Sequence, residues 1–372
     1  MKRKLTKNYE WSILICTILL IVIGLFAIYT ATASYGYEEF KKQIIWIAIS
    51  IPFFILFMLV DYDIWARLSA IFYAISIVLL LLVLFSQAKY GATSWLTFKK
   101  ISIQPAEFAK ISVILFIAFI MSKMKKKGGV NEINRPTRIL LLLLIFAIPV
   151  GLIIKQPDIG TATAFVVAFV LMLFNSGIYK RYIFTALAIV AVALPLTYFY
   201  ILPKYAQHAK TRIDVFLNPD LDPRGAGYNI TQSKLAIGAG ELFGMGYLKG
   251  NQTQLGFLYP KSTDFIFSVI GEEMGFIVAA TIIIIYVVLI TKSIYVAKTA
   301  KDDLGSIIAI GIAGVFLFHM TENIGMTIGL LPITGVPLPF VSYGGSSLLT
   351  NLIMIAILLN ISGRRQKAMF TE

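Results

Sequence analysis

About ten stretches of this chain stay apolar for roughly 18 residues or more, and a helix of that length crosses a hydrocarbon core of roughly 30 Å. They fall near residues 11–33, 43–60, 64–86, 105–122, 137–154, 160–176, 182–202, 264–291, 305–330 and 346–361. A run of this kind satisfies its own backbone N–H and C=O groups in lipid by forming a helix. The balance of residues agrees, with 58% hydrophobic and only 14% charged, far less charge than a soluble surface of this length carries. The fold class that follows is an all-α polytopic membrane protein. It forms a single integral-membrane domain over 1–372, with about ten transmembrane helices and one large extracellular loop, 203–263.

The net charge of +14 does not point to nucleic acid. With both termini in the cytoplasm, more than half of the 33 Lys and Arg fall in the inner segments, where such residues set topology. The opening Met1-Lys2-Arg3-Lys4, the apolar run and Ala31-Thr32-Ala33 have the parts of a signal peptide. The run 11–33 is longer than a secretory core of about 7–15 residues, and it reads as an uncleaved first span. A single cysteine, Cys16, excludes an internal disulfide and a CxxC metal site. His208 and His319 are too few for a histidine zinc site, and each reads first as a hydrogen-bonded or solvated residue. No phosphate-binding loop is present, so the chain is not by itself an ATP-driven pump.

Chemistry is therefore sought where polar residues enter the apolar runs, because acids placed there are costly and mark functional sites. The segment 259–276 reads YPKSTDFIFSVIGEEMGF. Asp264 stands where the long loop meets the eighth span, a place an ordinary helix cap would also occupy. Glu272 and Glu273 follow about 12 Å deeper at 1.5 Å per residue. Being adjacent, they point about 100° apart, so one can pair internally while the other faces a cavity. Glu107 and Lys110, in QPAEFAK, are three apart on one helix face and can pair. Asp158, in QPDIGT, opens the sixth span, where a cap again competes. The loop 329–347 is rich in Pro and Gly, and broken backbone at membrane depth needs protein or a wet cavity around it.

Glu107, Lys110, Asp158, Asp264, the Pro/Gly loop and the long loop all fall on the outer side. Their coincidence predicts one outward-opening site lined by carboxylates and a few cations, with Arg212, Arg224 and Lys234 of the long loop able to meet an anionic substrate. A lipid-linked phosphate suits such a site, and a carboxylate there can act as general base on a hydroxyl. Within the long loop, 228–243 has helix-like apolar spacing and predicts a short helix at or dipping into the membrane surface.

These motifs resemble the SEDS family (shape, elongation, division and sporulation proteins) of bacterial peptidoglycan glycosyltransferases. The resemblance covers nearly the whole chain and is strongest in QPAEFAK, QPDIGT, the loop 212–264 and 323–347. Gln252-Thr253-Gln254-Leu255 and NIGMTIGLLPITG look more like the elongation-type branch than the division-type one. The resemblance implies polymerisation of lipid II on the outer face of the cytoplasmic membrane. Asp264 would be general base or orienter of the acceptor hydroxyl, Glu107, Lys110 and Asp158 cavity residues, and Arg212 a neutraliser of pyrophosphate. It also implies a nascent glycan strand as ligand, and a class B penicillin-binding transpeptidase and elongation-complex proteins as partners. Carboxylates near a pyrophosphate would suit Mg²⁺ or another divalent cation. One departure stands out: where relatives often carry histidine two residues before the aspartate, this chain has Ser262. The competing reading is a flippase or transporter of the same lipid II, and a third is a scaffold for a cell-wall enzyme. Clustering of the polar residues on one side favours chemistry at one face.

Overall fold

A computed structural model of the chain describes residues 9–86, 94–98, 101–125, 132–205, 207–223 and 225–365. The amino-terminal cations, Lys126 and its neighbours, Arg224 and the tail beyond Arg365 lie outside the described residues. Three helices open the chain: α1 (Trp11–Thr32), α2 (Glu38–Leu59) and α3 (Tyr62–Val83). A two-stranded antiparallel ribbon, β1 (Leu96–Phe98) and β2 (Ile101–Ile103), leads into α4 (Pro105–Lys125), α5 (Pro136–Lys155), α6 (Ile159–Asn175) and α7 (Lys180–Leu196). A wider helical turn at Thr197–Ile201 carries α7 into the short α8 (Leu202–Tyr205). The outer loop then forms α9 (Gln207–Leu217), α10 (Ala226–Ala239) and α11 (Asn251–Gln254), before α12 (Ile266–Thr299), α13 (Asp303–Thr327) and α14 (Gly345–Gly363).

Among the described residues, nine helices are long and apolar enough to cross a membrane, and α6 is a shorter apolar helix beside them. The ten expected runs are thus present, most ends moved by a few residues and the end of α12 carried on to Thr299. The core is built on α4, α13 and α14. Every residue of α14 after Gly345 is buried, and α14 packs against α2, α4, α12 and α13. No described residue of Lys180–Lys204 is buried, so the α7 segment lies at the rim.

Polar residues inside the apolar helices explain the tight connections. The two-residue link between α2 and α3 leaves backbone carbonyls of α2 unpaired. Asn360 of α14 donates to Phe57 O and Met58 O at 3.0 Å each and to Val60 O, and accepts from Tyr62 N at 3.3 Å. One buried amide thus closes a turn that the sequence marks with Asp61-Tyr62-Asp63.

The largest departure from a plain helix is in α12. At Gly275 the backbone takes φ 79° and ψ 179°, a conformation open to glycine and strained for residues with a Cβ. The broken ladder is repaired by the outer loop. Phe276 N donates to Glu241 O at 2.9 Å, Ile277 N to Leu242 O at 3.2 Å, and Met245 N to Glu272 O at 2.8 Å. The helix expected over 228–243 appears as α10. It packs against the start of α12, where Ser233 and Ser268 share a 2.6 Å hydrogen bond and Ser233 donates to Thr327 O at 2.7 Å.

Candidate active site

Asp264 lies on the turn just before α12. Phe265, not Asp264, holds the cap position, and no side chain caps this helix. The aspartate is therefore free of the structural role that its position in the sequence allowed. Two stretches of the last outer loop close around it. Ser342 Oγ donates to Thr263 O at 2.6 Å and Tyr343 N to Ser262 O at 2.9 Å. On the other side runs a strap, Thr334-Gly335-Val336-Pro337. Gly335 has φ +76°, and a Cβ there would lie 3.2 Å from Asp264 Oδ2. The glycine permits both the turn and the close approach.

One face of α13 holds this strap. His319, Glu322 and Asn323 are spaced three and four apart, so they point the same way. Nδ1–H of His319 donates to Pro337 O at 3.2 Å, Thr334 Oγ1 donates to Glu322 Oε1 at 2.8 Å, and Asn323 Nδ2 donates to Val336 O at 2.8 Å. Asn323 Nδ2 also donates to Asp264 O at 2.9 Å. Arg212, exposed on α9, reaches over the strap and donates to Thr334 O at 3.3 Å.

Asp158 joins from the start of α6. It caps that helix by accepting from Thr161 N at 3.0 Å, and it accepts from Gln104 Nε2 at 3.0 Å. The expected cap is thus real, yet the carboxylate still faces the charges of Glu107 and Lys110. Those two form the predicted pair: Lys110 Nζ lies 2.9 Å from Glu107 Oε1, with side chains 1% and 2% exposed. Thr350 Oγ1 donates to Glu107 Oε2 at 3.0 Å, and Lys110 Nζ donates to His319 Nε2 at 3.2 Å. Because Nδ1 of His319 faces a carbonyl, Nε2 must be the acceptor. The histidine is hydrogen-bonded, as expected, and it links the α4 pair to the strap.

Burial pushes the Asp264 carboxyl up to about 6. The Thr263 side chain and Arg212 oppose the shift, and the nearby Asp158 adds to it. Burial raises Asp158 as well, against its bonds from Thr161. Desolvation prevails at Asp264. A carboxylate with such a value accepts a proton near neutral pH far more readily than an ordinary aspartate.

Glu272 and Glu273 do not belong to this crevice. Glu272 accepts from Gln252 N at 2.6 Å, Thr253 N at 3.0 Å and Thr253 Oγ1 at 2.6 Å. Glu273 accepts from Leu248 N at 3.0 Å and Gln254 Nε2 at 2.8 Å. The expectation that one of them faces a cavity is corrected: the loop folds back at the Gly275 break, and its unpaired N–H groups occupy both carboxylates. Lys261, buried and donating to Thr253 O at 2.6 Å and Ser34 Oγ at 2.9 Å, lies within electrostatic reach of both. Lys234 is exposed on α10, with its ammonium end beside Gly329, and the structure does not bring it to Asp264. Ser262 is buried and bonded to Tyr35, so it supplies no acid or base. Among the described residues, no three His, Cys, Asp or Glu side chains converge as a metal site.

The FtsW/RodA/SpoVE model, described as cell cycle protein, matches residues 10–367. The chain is 35% identical to a probable peptidoglycan glycosyltransferase FtsW of Trichlorobacter lovleyi, over 98% of this chain and 96% of that protein. It is 31% identical to the peptidoglycan glycosyltransferase RodA of Treponema pallidum, over 96% and 98%. It is 36% identical to the stage V sporulation protein E of Bacillus subtilis, over 94% and 96%. Relatives of all three kinds match alike, so the similarity does not select the elongation branch. The fold is also that of the Thermus thermophilus rod shape determining protein RodA, with a TM-score of 0.71 at 23% identity over 96% of this chain and 98% of that one. A chain from a structure described as the coordination of polymerization and crosslinking by a peptidoglycan synthase complex gives 0.81 at 24% identity, over 95% and 97%.

Proposed function

The chain belongs to the FtsW/RodA/SpoVE family and is a peptidoglycan glycosyltransferase, and from that premise we propose that it polymerises lipid II with Asp264 as general base. The observation that carries this reading is a buried carboxyl, raised to about 6, on a crevice wall that also presents Arg212. The Asp264 carboxylate takes the proton of the C4 hydroxyl of an acceptor GlcNAc. The oxygen so released forms a bond to the anomeric carbon of a lipid-pyrophosphate-linked MurNAc. The bond from that carbon to the pyrophosphate oxygen breaks, and undecaprenyl pyrophosphate leaves with the electron pair. Arg212 meets the charge that develops on the leaving group, and Asp264 then returns its proton to water. The product is a β-1,4 glycan strand. Glu107, Lys110 and Asp158 shape the polar floor beneath the reacting groups.

In this reading the site opens on the outer face of the bacterial cytoplasmic membrane, with both termini inside. The exposed rim at α7 leaves a flank open to lipid next to the helix that carries Arg212. A flippase needs access from both sides. At the opposite ends of α1, α12 and α14, Glu10 accepts from Lys292 at 3.1 Å and from Arg365 at 3.5 Å, and Glu10 N donates to Ser362 Oγ at 3.1 Å. These ties brace the cytoplasmic face and favour one-sided chemistry over transport. Among the described residues no three His, Cys, Asp or Glu side chains form a cage for Mg²⁺, so a divalent cation would arrive with the pyrophosphate. The partner we propose is a class B penicillin-binding transpeptidase of the elongation complex, seated on the outer parts of α12 and α13 and the long loop.

Purified protein given lipid II, free of other synthases, should yield glycan polymer. Movement of lipid II across vesicles without polymer would support the transporter instead.

A further inference from the structure

We infer that Asn323 is the positioning residue for Asp264, holding that residue and the opposite wall of the crevice through one buried amide. The inference rests on the assignment of Asp264 as the base. Asn323 is 0% exposed. Its Nδ2 donates to Asp264 O at 2.9 Å and to Val336 O at 2.8 Å. Both partners are carbonyl oxygens, so only the nitrogen of the amide can face them, and the orientation of the side chain follows from the chemistry.

The cost of this arrangement is visible. Among the described residues Asn323 Oδ1 is buried without a hydrogen-bond partner, and an unpaired buried acceptor carries a desolvation penalty. A residue selected for packing alone would be apolar here, and would avoid that penalty. The two donated bonds explain why an amide is present. His319 and Glu322, on the same face of α13, hold only the strap, at Pro337 and Thr334. Among the described residues, Asn323 is the side chain that bonds both Asp264 and the strap whose Gly335 faces Asp264 Oδ2. It therefore sets the width of the crevice and the direction of the carboxylate. Arg212 is carried by α9 and meets the strap at Thr334 O, not at the Val336 carbonyl that Asn323 holds, so the cation that meets the pyrophosphate keeps its own support when the amide is lost.

The test is steady-state polymerisation by purified, full-length Asn323→Leu with lipid II, alongside its thermal unfolding and its rate-against-pH profile. Leucine nearly matches asparagine in volume, removes both donors and removes the orphaned oxygen. Misplacement of a reacting group by about 1 Å is worth about 10²-fold, so kcat per folded molecule should fall by that order, with KM for lipid II little changed and melting lowered only by the two lost hydrogen bonds. The acid limb of the profile, near pH 6 in the parent, should move to lower pH as water reaches the loosened carboxyl. Asn323→Ala, which leaves space instead of leucine, should lose the same kcat per folded molecule. Asn351→Ala, which removes another buried amide, on α14, should lose stability alone. Full kcat per folded molecule in both Asn323 variants, with an unmoved acid limb, would overturn the inference while leaving Asp264 as base. Normal polymer from Asp264→Asn would instead overturn the assignment on which it rests.

Discussion

Replacing Lys110 by methionine should be among the most damaging single changes in this protein. The side chains of Lys110 and Glu107 are 1% and 2% exposed, 2.9 Å apart. Without the ammonium, Glu107 keeps the Thr350 hydroxyl at 3.0 Å and no cation at bonding distance. Removing one partner of a buried pair costs about 3–5 kcal/mol, because the other charge is left buried and uncompensated. An exposed pair gives the scale for comparison. Lys42 and Glu38 lie 3.2 Å apart with side chains 50% and 73% exposed, and such pairs contribute about 0–1 kcal/mol. The assay is thermal unfolding in detergent and folded yield by size exclusion, for Lys110→Met and Glu38→Gln in parallel. Lys110→Met should lose several times more stability. Changing both members, Glu107→Leu with Lys110→Met, should recover most of it, since well-packed apolar substitutes for a buried pair are often neutral or better. That double variant should still polymerise poorly, because the polar floor below Asp264 is gone. Equal losses in Lys110→Met and Glu38→Gln, or no recovery in the double variant, would refute the reasoning.

Asp264 should give the polymerisation rate an acid limb near pH 6, with activity lost as pH falls because the protonated carboxyl is no base; initial rates across pH 4.5–8 check this, on the order of the shift. The same raised value makes ionisation unfavourable to the folded state, so stability from this group falls as pH rises from the ordinary aspartate range through about 6, and Asp264→Asn should melt higher than the parent above that pH. Asn360→Leu removes donors from Phe57, Met58 and Val60 and should cost roughly 2–4 kcal/mol at about 1 kcal/mol per bond, read by thermal unfolding. Glu272→Gln weakens three bonds to Gln252 and Thr253 and should speed proteolysis of the 248–254 loop before any change in global melting.

The spanning helices were legible because each is dictated by its own apolar run. The Glu107–Lys110 pair and the Asp158 cap were legible for the same reason, as spacing within one helix fixes both. What failed was non-local. The role of Glu272 and Glu273 depends on a loop some twenty residues away folding back at Gly275, and nothing in their own turn of helix announces it. The face made by His319, Glu322 and Asn323 could have been found from its spacing in an apolar run. Its purpose could not, because it acts on a strap whose path is set by the rest of the site. Asp264 resembled a cap since the sequence could not show that α12 starts after Phe265.

The central claim is that Asp264 performs chemistry and does not merely hold substrate. A single-turnover assay of purified Asp264→Asn with lipid II, beside a direct measurement of lipid II binding, tests it. General-base assistance is worth about 10²–10⁴-fold, so the variant, correctly folded, should lose at least that in rate while binding falls far less. Polymer formed at a near-normal rate, or binding lost with the chemical step intact, would contradict the account.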